Sequence, residues 1–104
     1  MRIETKMLKK LLKELYPNQR FSVMFVSAKT YIDTSDKLKV KCPKNLNIKD
    51  VIQQLQLHTF GITVYKKNTF AAINGNNNTS SLIFTDGSIV DIDMVEFIEI
   101  DNFD

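Results

Sequence analysis

The stretch KLKVKCPKNLNIKDVIQQL, residues 37–55, specifies two elements and the joint between them. Leu38, Val40 and Cys42 alternate with Lys37, Lys39 and Lys41. A period of two sends alternate side chains to opposite faces, which predicts a half-buried strand over residues 37–42 with a basic outer face. Pro43 ends it, since proline has no N–H for the ladder. Asn47 is a helix-capping residue by type, and Asp50 in the first turn suits the positive end of the dipole. Ile48, Val51, Ile52 and Leu55 recur at helical spacing and form an apolar stripe. Gly61 lies just beyond, where helices often end.

Working outward, residues 5–16 predict another helix. Met7, Leu8, Leu11, Leu12 and Leu15 make its apolar stripe, and Lys6, Lys9, Lys10 and Lys13 cover the other side. Pro17 stops it, because the residue before a proline is pushed out of the helical region. Residues 21–26 are β-branched and aromatic, with apolar side chains on both faces, which predicts a central strand. Residues 27–36 are polar and weakly patterned, a connecting loop.

The remainder reads as β. Residues 62–66 and 69–73 predict a hairpin around Lys67 and Asn68. Residues 74–81, NGNNNTSS, predict a loop, either a partner contact or a plain connection. Residues 82–84 and 89–93 flank the turn Thr85-Asp86-Gly87-Ser88. In the last stretch Val90, Ile92, Met94, Ile98 and Ile100 keep even positions apolar, but Glu96 interrupts them. Val95 and Phe97 fall on the otherwise acidic odd face, and a bulge or kink near Glu96 reconciles the pattern. The expected fold is α+β, one domain over residues 1–104 in the order α-β-β-α-β-β-β-β. It has an antiparallel sheet with both helices packed on one face. An αββα half spans residues 5–58 and a β-rich half spans residues 61–101.

The 104 residues, 43% hydrophobic and 25% charged, describe an ordinary globular chain. Surface scaling gives roughly 6,000 Å² folded against about 17,000 Å² unfolded, enough burial for one core. Cys42 is the one cysteine, so no disulfide forms within the chain, whereas small secreted domains usually carry several. The opening MRIETKMLKKLLKEL has charges throughout its apolar pattern and does not read as a signal peptide. No apolar run reaches the ~18–20 residues that span a bilayer. A cytoplasmic protein with no membrane partner is expected. The preference for Lys over Arg, with abundant Asn and Ile, resembles the usage of AT-rich genomes such as low-GC bacteria and their phages.

A net charge of +2 argues against both a basic binder and an acidic mimic, but the sum hides a division. Residues 1–50 hold twelve basic and five acidic side chains, a formal +7. Residues 51–104 hold two and seven, a formal −5. In the basic half, Lys6, Lys9, Lys10, Lys13, Lys37, Lys39 and Lys41 are candidates to face nucleic-acid phosphates. Arg is scarce, so bidentate base reading is not expected. In the acidic half, Asp91, Asp93, Glu96, Glu99 and Asp101 are a candidate partner-binding face. Carboxylates two apart on a strand stand ~6.6 Å from each other, the scale of a phosphate row. Each set also has an ordinary reading as a solvated face, and lysines on edge strands prevent sheet-to-sheet pairing. A third expectation is self-association, basic half against acidic half.

Catalytic signals are sparse. His58 is the sole histidine and sits near a helix end, a capping or surface position. Cys42 reads as a buried structural thiol. No Cys/His cluster for zinc and no glycine-rich phosphate loop is present. Asp91 and Asp93 alone make a weak cation site. A non-enzyme without cofactors or metals is expected.

Two segments carry a resemblance. LKKLLKELYPNQRFSV is a helix leading through a Tyr-Pro turn into a strand, and KLKVKCPKNLNIKDVIQQL is a strand, a proline turn and a helix. Residues 7–57 resemble the small αββα modules associated with large polyvalent proteins of phages and conjugative elements. The resemblance implies a mobile-element setting and transfers no functional residue. The resulting expectation is a small accessory protein that binds another protein. Its concrete version inhibits a host nuclease or defence complex through the acidic face, with a nuclease or polymerase as the class of partner. The alternatives are a nucleic-acid-binding module using the basic half, and a structural subunit or homodimer.

Overall fold

The computed structural model describes residues 2–27, 36–69, 79–93 and 95–104. Its elements are α1 (Ile3–Leu15), β1 (Ser22–Val26), β2 (Asp36–Cys42), α2 (Ile48–Leu57), β3 (Thr59–Phe60), β4 (Thr63–Lys66), β5 (Ser81–Ile83), β6 (Ile89–Asp91) and β7 (Val95–Asn102). The class is α+β, in the element order expected, with a further two-residue strand at β3.

Local chemistry sets the boundaries. α1 buries Leu8, Leu11 and Leu12 and ends at Tyr16, which leaves helical geometry ahead of Pro17. The Asn47 side chain caps α2 by accepting from the Lys49 N–H at 2.8 Å. His58 closes that helix, its N–H donating to the Leu55 carbonyl. Gly61 does adopt a left-handed φ of +73°, but at the bend between β3 and β4 rather than at the helix end.

The strands form two sheets. One has the order β1-β2-β7-β4, and the other, smaller one has the order β3-β5-β6. β1 and β2 pair antiparallel, as do β3 with β5 and β5 with β6. β7 instead runs parallel to both β2 and β4, so the larger sheet is mixed rather than antiparallel throughout. The cause is α2. A helical crossover from β2 to β4 returns the chain to its starting end, so the two strands point the same way. They stand one strand apart, and β7 fills the gap. β1, expected at the centre, is an edge strand in this order.

The hairpin around residues 85–88 forms as predicted, with Gly87 at φ +89°. Ser81, expected in the loop, belongs to β5. The turn at Lys67 and Asn68 also forms, with Asn68 at φ +65°, and the Thr69 hydroxyl donates to the Lys66 carbonyl. The expected second arm over residues 70–73, the Asn-rich residues 74–78, and residues 28–35 of the first connection lie outside the described residues.

The bulge is where the sequence pattern puts it. Asp36 aligns with Val95 and Lys37 with Phe97, which leaves Glu96 as the extra residue on β7. Val95 and Ile98 therefore both reach the core despite their odd spacing. One apolar cluster joins α1, α2, one face of the larger sheet and the smaller sheet, through Leu11, Leu55, Leu38, Ile98 and Leu82. Both helices pack on that one face. The opposite face of the larger sheet carries the alternate residues of each strand.

Candidate interface on the open sheet face

Strand pairing decides which charges meet. Leu38, Val40 and Cys42 enter the core, so Lys37, Lys39 and Lys41 project from the open face. Ile98 and Ile100 enter the core, so Phe97, Glu99 and Asp101 project beside them. The parallel register sets Lys37 opposite Phe97, Lys39 opposite Glu99 and Lys41 opposite Asp101. Met24 lies across from Lys39 on β1, and Tyr65 lies across from Glu99 on β4.

Lys37 and Lys41 thus pair with Glu99 and Asp101 within one chain. Lys37 Nζ is 2.9 Å from Glu99 Oε2. The Tyr65 hydroxyl donates to the same oxygen at 3.4 Å, and its ring meets Phe97 edge-on at 6.2 Å. Lys41 and Lys67 flank Asp101 at 4.0 and 3.8 Å. Glu99 is only 6% exposed, too enclosed to present its charge to a partner. Its hydrogen bond holds the Lys37 ammonium above its ordinary pKa, against the opposing effect of burial. Burial, reinforced by the Glu99 charge, pushes the Tyr65 phenol up as well.

The expected acidic face is not one row. Asp91 belongs to β6 of the smaller sheet, where it accepts from the Ser81 hydroxyl at 2.8 Å. Asp93 is exposed in the turn after β6, and Glu96 is exposed at the bulge. Glu99 and Asp101 sit on the other sheet. The even-odd pattern looked continuous because β6 and β7 are adjacent in sequence, but the chain changes sheet between them. The expected basic face divides likewise. Lys6, Lys9, Lys10 and Lys13 belong to α1, which covers the core side of the sheet, whereas the Lys37 row lies on the open side.

What the open face offers is a shallow groove of about 240 Å³, lined among others by Met24, Lys39, Lys41, Lys67 and Asp101. Met24 is 55% exposed there. Met24, Tyr65, Lys67 and Phe97 were not among the sequence candidates. Alternation marks Met24, Tyr65 and Phe97 as outward-facing, but only the pairing reveals that they are neighbours.

The groups singled out for chemistry play structural parts. His58 is half-buried, and its Nδ1–H donates to the Ile83 carbonyl at 2.7 Å while Ile83 N–H returns to the His58 carbonyl. The Cys42 thiol donates to the Asp101 carbonyl at 3.3 Å and accepts from Asn102 Nδ2 at 3.4 Å. Burial raises its pKa above the ordinary value. A thiol reagent such as DTNB is expected to label the native chain at less than about a tenth of its rate on the urea-unfolded chain. Equal rates would show that Cys42 is not enclosed. Among the described residues no group of three or more His, Cys, Asp or Glu side chains is placed to hold a metal ion. No described helix is long and apolar enough to cross a membrane. Comparison with protein-family models, curated proteins and solved structures returns no match, so the open sheet face must be read from its own chemistry.

Proposed function

We propose that this chain is a small non-enzymatic accessory protein that binds another protein through the open face of its larger sheet. The observation that carries the reading is the exposed Met24 beside Lys39 and the paired Lys41, Asp101 and Lys67. Protein interfaces combine an adaptable apolar centre with a polar rim, and methionine reshapes itself to a partner at little cost. Lys41, Asp101 and Lys67 make such a rim around the groove. Inhibition by an uninterrupted acidic row is the less favoured form, because Glu99 and Asp101 are held by Lys37, Lys41 and Lys67. Self-association through the Lys37 row and Glu99 is less favoured for the same reason. The resemblance of residues 7–57 supports a phage or conjugative-element setting, with a host or element-encoded nuclease or polymerase as partner.

The test is affinity capture from host lysate with wild type, Met24→Asp/Lys41→Glu and Lys13→Glu/Arg20→Glu. A partner is expected to bind wild type and the helix-side variant but to be lost with the open-face variant. Retention by the open-face variant, or no partner that discriminates among the three, overturns the reading.

A further inference from the structure

α1 presents two basic edges rather than one. Successive helical residues turn by about 100°, so Lys9 and Lys10 meet different neighbours. Lys10 leans over the Phe84 ring with Nζ 5.2 Å from the centroid. Glu14, one turn on, accepts from the Thr85 N–H at 3.1 Å and from the Thr85 hydroxyl at 2.7 Å. That edge is occupied by the smaller sheet. Lys9 and Lys13, also one turn apart, fall on the other edge beside Arg20.

Two shallow cavities of about 510 and 260 Å³ lie on that edge, and both are lined by Lys9, Arg20 and Phe21. Phe103 borders the larger one and Lys13 the smaller. None of the described residues lining either cavity is acidic. The carboxylates of α1 are turned elsewhere, Glu14 to Thr85 and Glu4 to Arg2 at 3.3 Å. Lys37 and Lys41 on the open face have carboxylate partners, whereas no ion pair to a described residue involves Lys9, Lys13 or Arg20.

We infer that this concave edge binds single-stranded nucleic acid, with phosphates on Lys9, Lys13 and Arg20 and bases against Phe21 and Phe103. The surface is distinct from the proposed protein-binding face and its function goes beyond that reading. Three cations with no acid among the described lining residues select an anionic partner. Rings set into the cavities select a polymer with unpaired bases, because stacking on aromatic side chains needs an open base face. A duplex keeps those faces stacked and an acidic protein has none. Lysine and a lone arginine hold phosphates without reading base edges, so binding tolerates any sequence.

Fluorescence anisotropy with a labelled oligothymidylate at about 50 mM salt tests this. Three phosphate contacts give a slope of log K against log salt of about −2, at about 0.7 per contact for single strands. Lys13→Glu/Arg20→Glu should weaken binding by at least about tenfold, and Lys39→Glu on the open face by less than about threefold. Lys13 and Arg20 are exposed, so that variant keeps the fold, which a thermal melt verifies. Phe103→Ala should weaken binding about fivefold with the salt slope unchanged. No anisotropy change, equal binding of a duplex, or equal losses from the helix-edge and open-face variants overturns the inference. Displacement by polyglutamate as effective as by unlabelled oligonucleotide makes an acidic protein the occupant and overturns it too.

Discussion

Ile98→Ala is expected to destabilise the fold by about 2–5 kcal/mol, the range for removing a large aliphatic side chain from a core that cannot fully collapse. The position is fully buried between strands on both sides. Ile98 is 0% exposed on β7, with Leu38 beside it on β2 and Val64 beside it on β4. Both neighbours are themselves buried, so neither can move into the void without leaving another. A loss near 3 kcal/mol lowers Tm by about 12–24 °C in a chain of this size. It is a large share of the ~5–15 kcal/mol that holds a typical domain together. Ile89→Ala is the control. Ile89 is 64% exposed on β6, and its truncation should stay within about 0.5 kcal/mol. Urea unfolding of the two variants decides the matter. A loss under 1 kcal/mol at Ile98 would mean that β7 is not an interior strand.

That centrality was only partly legible in the amino-acid sequence. The alternation of Ile98 and Ile100 with Glu99 and Asp101 identifies a half-buried strand, and Glu96 marks its bulge. Such local signals hold because pleat and register act over neighbouring residues. The Asn47 cap and the break before Pro17 were legible for the same reason. Neighbours across the sheet were not. β2 and β7 are separated by more than fifty residues, and nothing local announces that a C-terminal strand will enter between β2 and β4. The helical crossover contained the clue, since a helix between two strands permits them to run parallel and leaves room for one more. Reading the late strands as successive hairpins overlooks it. The charge rows failed at the same step. Lys37, Lys39 and Lys41 share one side of β2, and Glu99 and Asp101 one side of β7, but their meaning depended on Lys37 lying within reach of Glu99. Charges that look like parts of two binding faces, Lys37 and Lys41 against Glu99 and Asp101, become ion pairs once the strands are adjacent.

The pairing of those rows leads to the second large effect, at Lys37. Lys37→Met leaves Glu99, only 6% exposed in the native chain, with the Tyr65 hydroxyl as its remaining donor among the described residues. Breaking a fully buried pair from one side costs about 3–5 kcal/mol. The Lys37 side chain is 32% exposed, so water screens part of the field, and about 1–3 kcal/mol is the discounted expectation. Lys37→Met/Glu99→Met removes both charges and should lie within about 1 kcal/mol of wild type, since no orphaned ion remains. The cycle with Glu99→Met then reports a coupling of at least about 1 kcal/mol. Additive losses would mean that the pair is only a surface contact. Alkaline pH gives an independent reading of the same site. Lys37 is raised chiefly by its bond to Glu99, and Tyr65 chiefly by burial. Each group therefore holds its proton more tightly folded than unfolded. Its contribution is complete below the unfolded values of 10.5 and 10.0 and is lost as pH rises through the higher folded ones. Wild type should lose stability above about pH 10 more steeply than Lys37→Met/Tyr65→Phe, which lacks both protons. Parallel pH curves would remove the Lys37–Glu99–Tyr65 cluster as a stabilising unit of the open face.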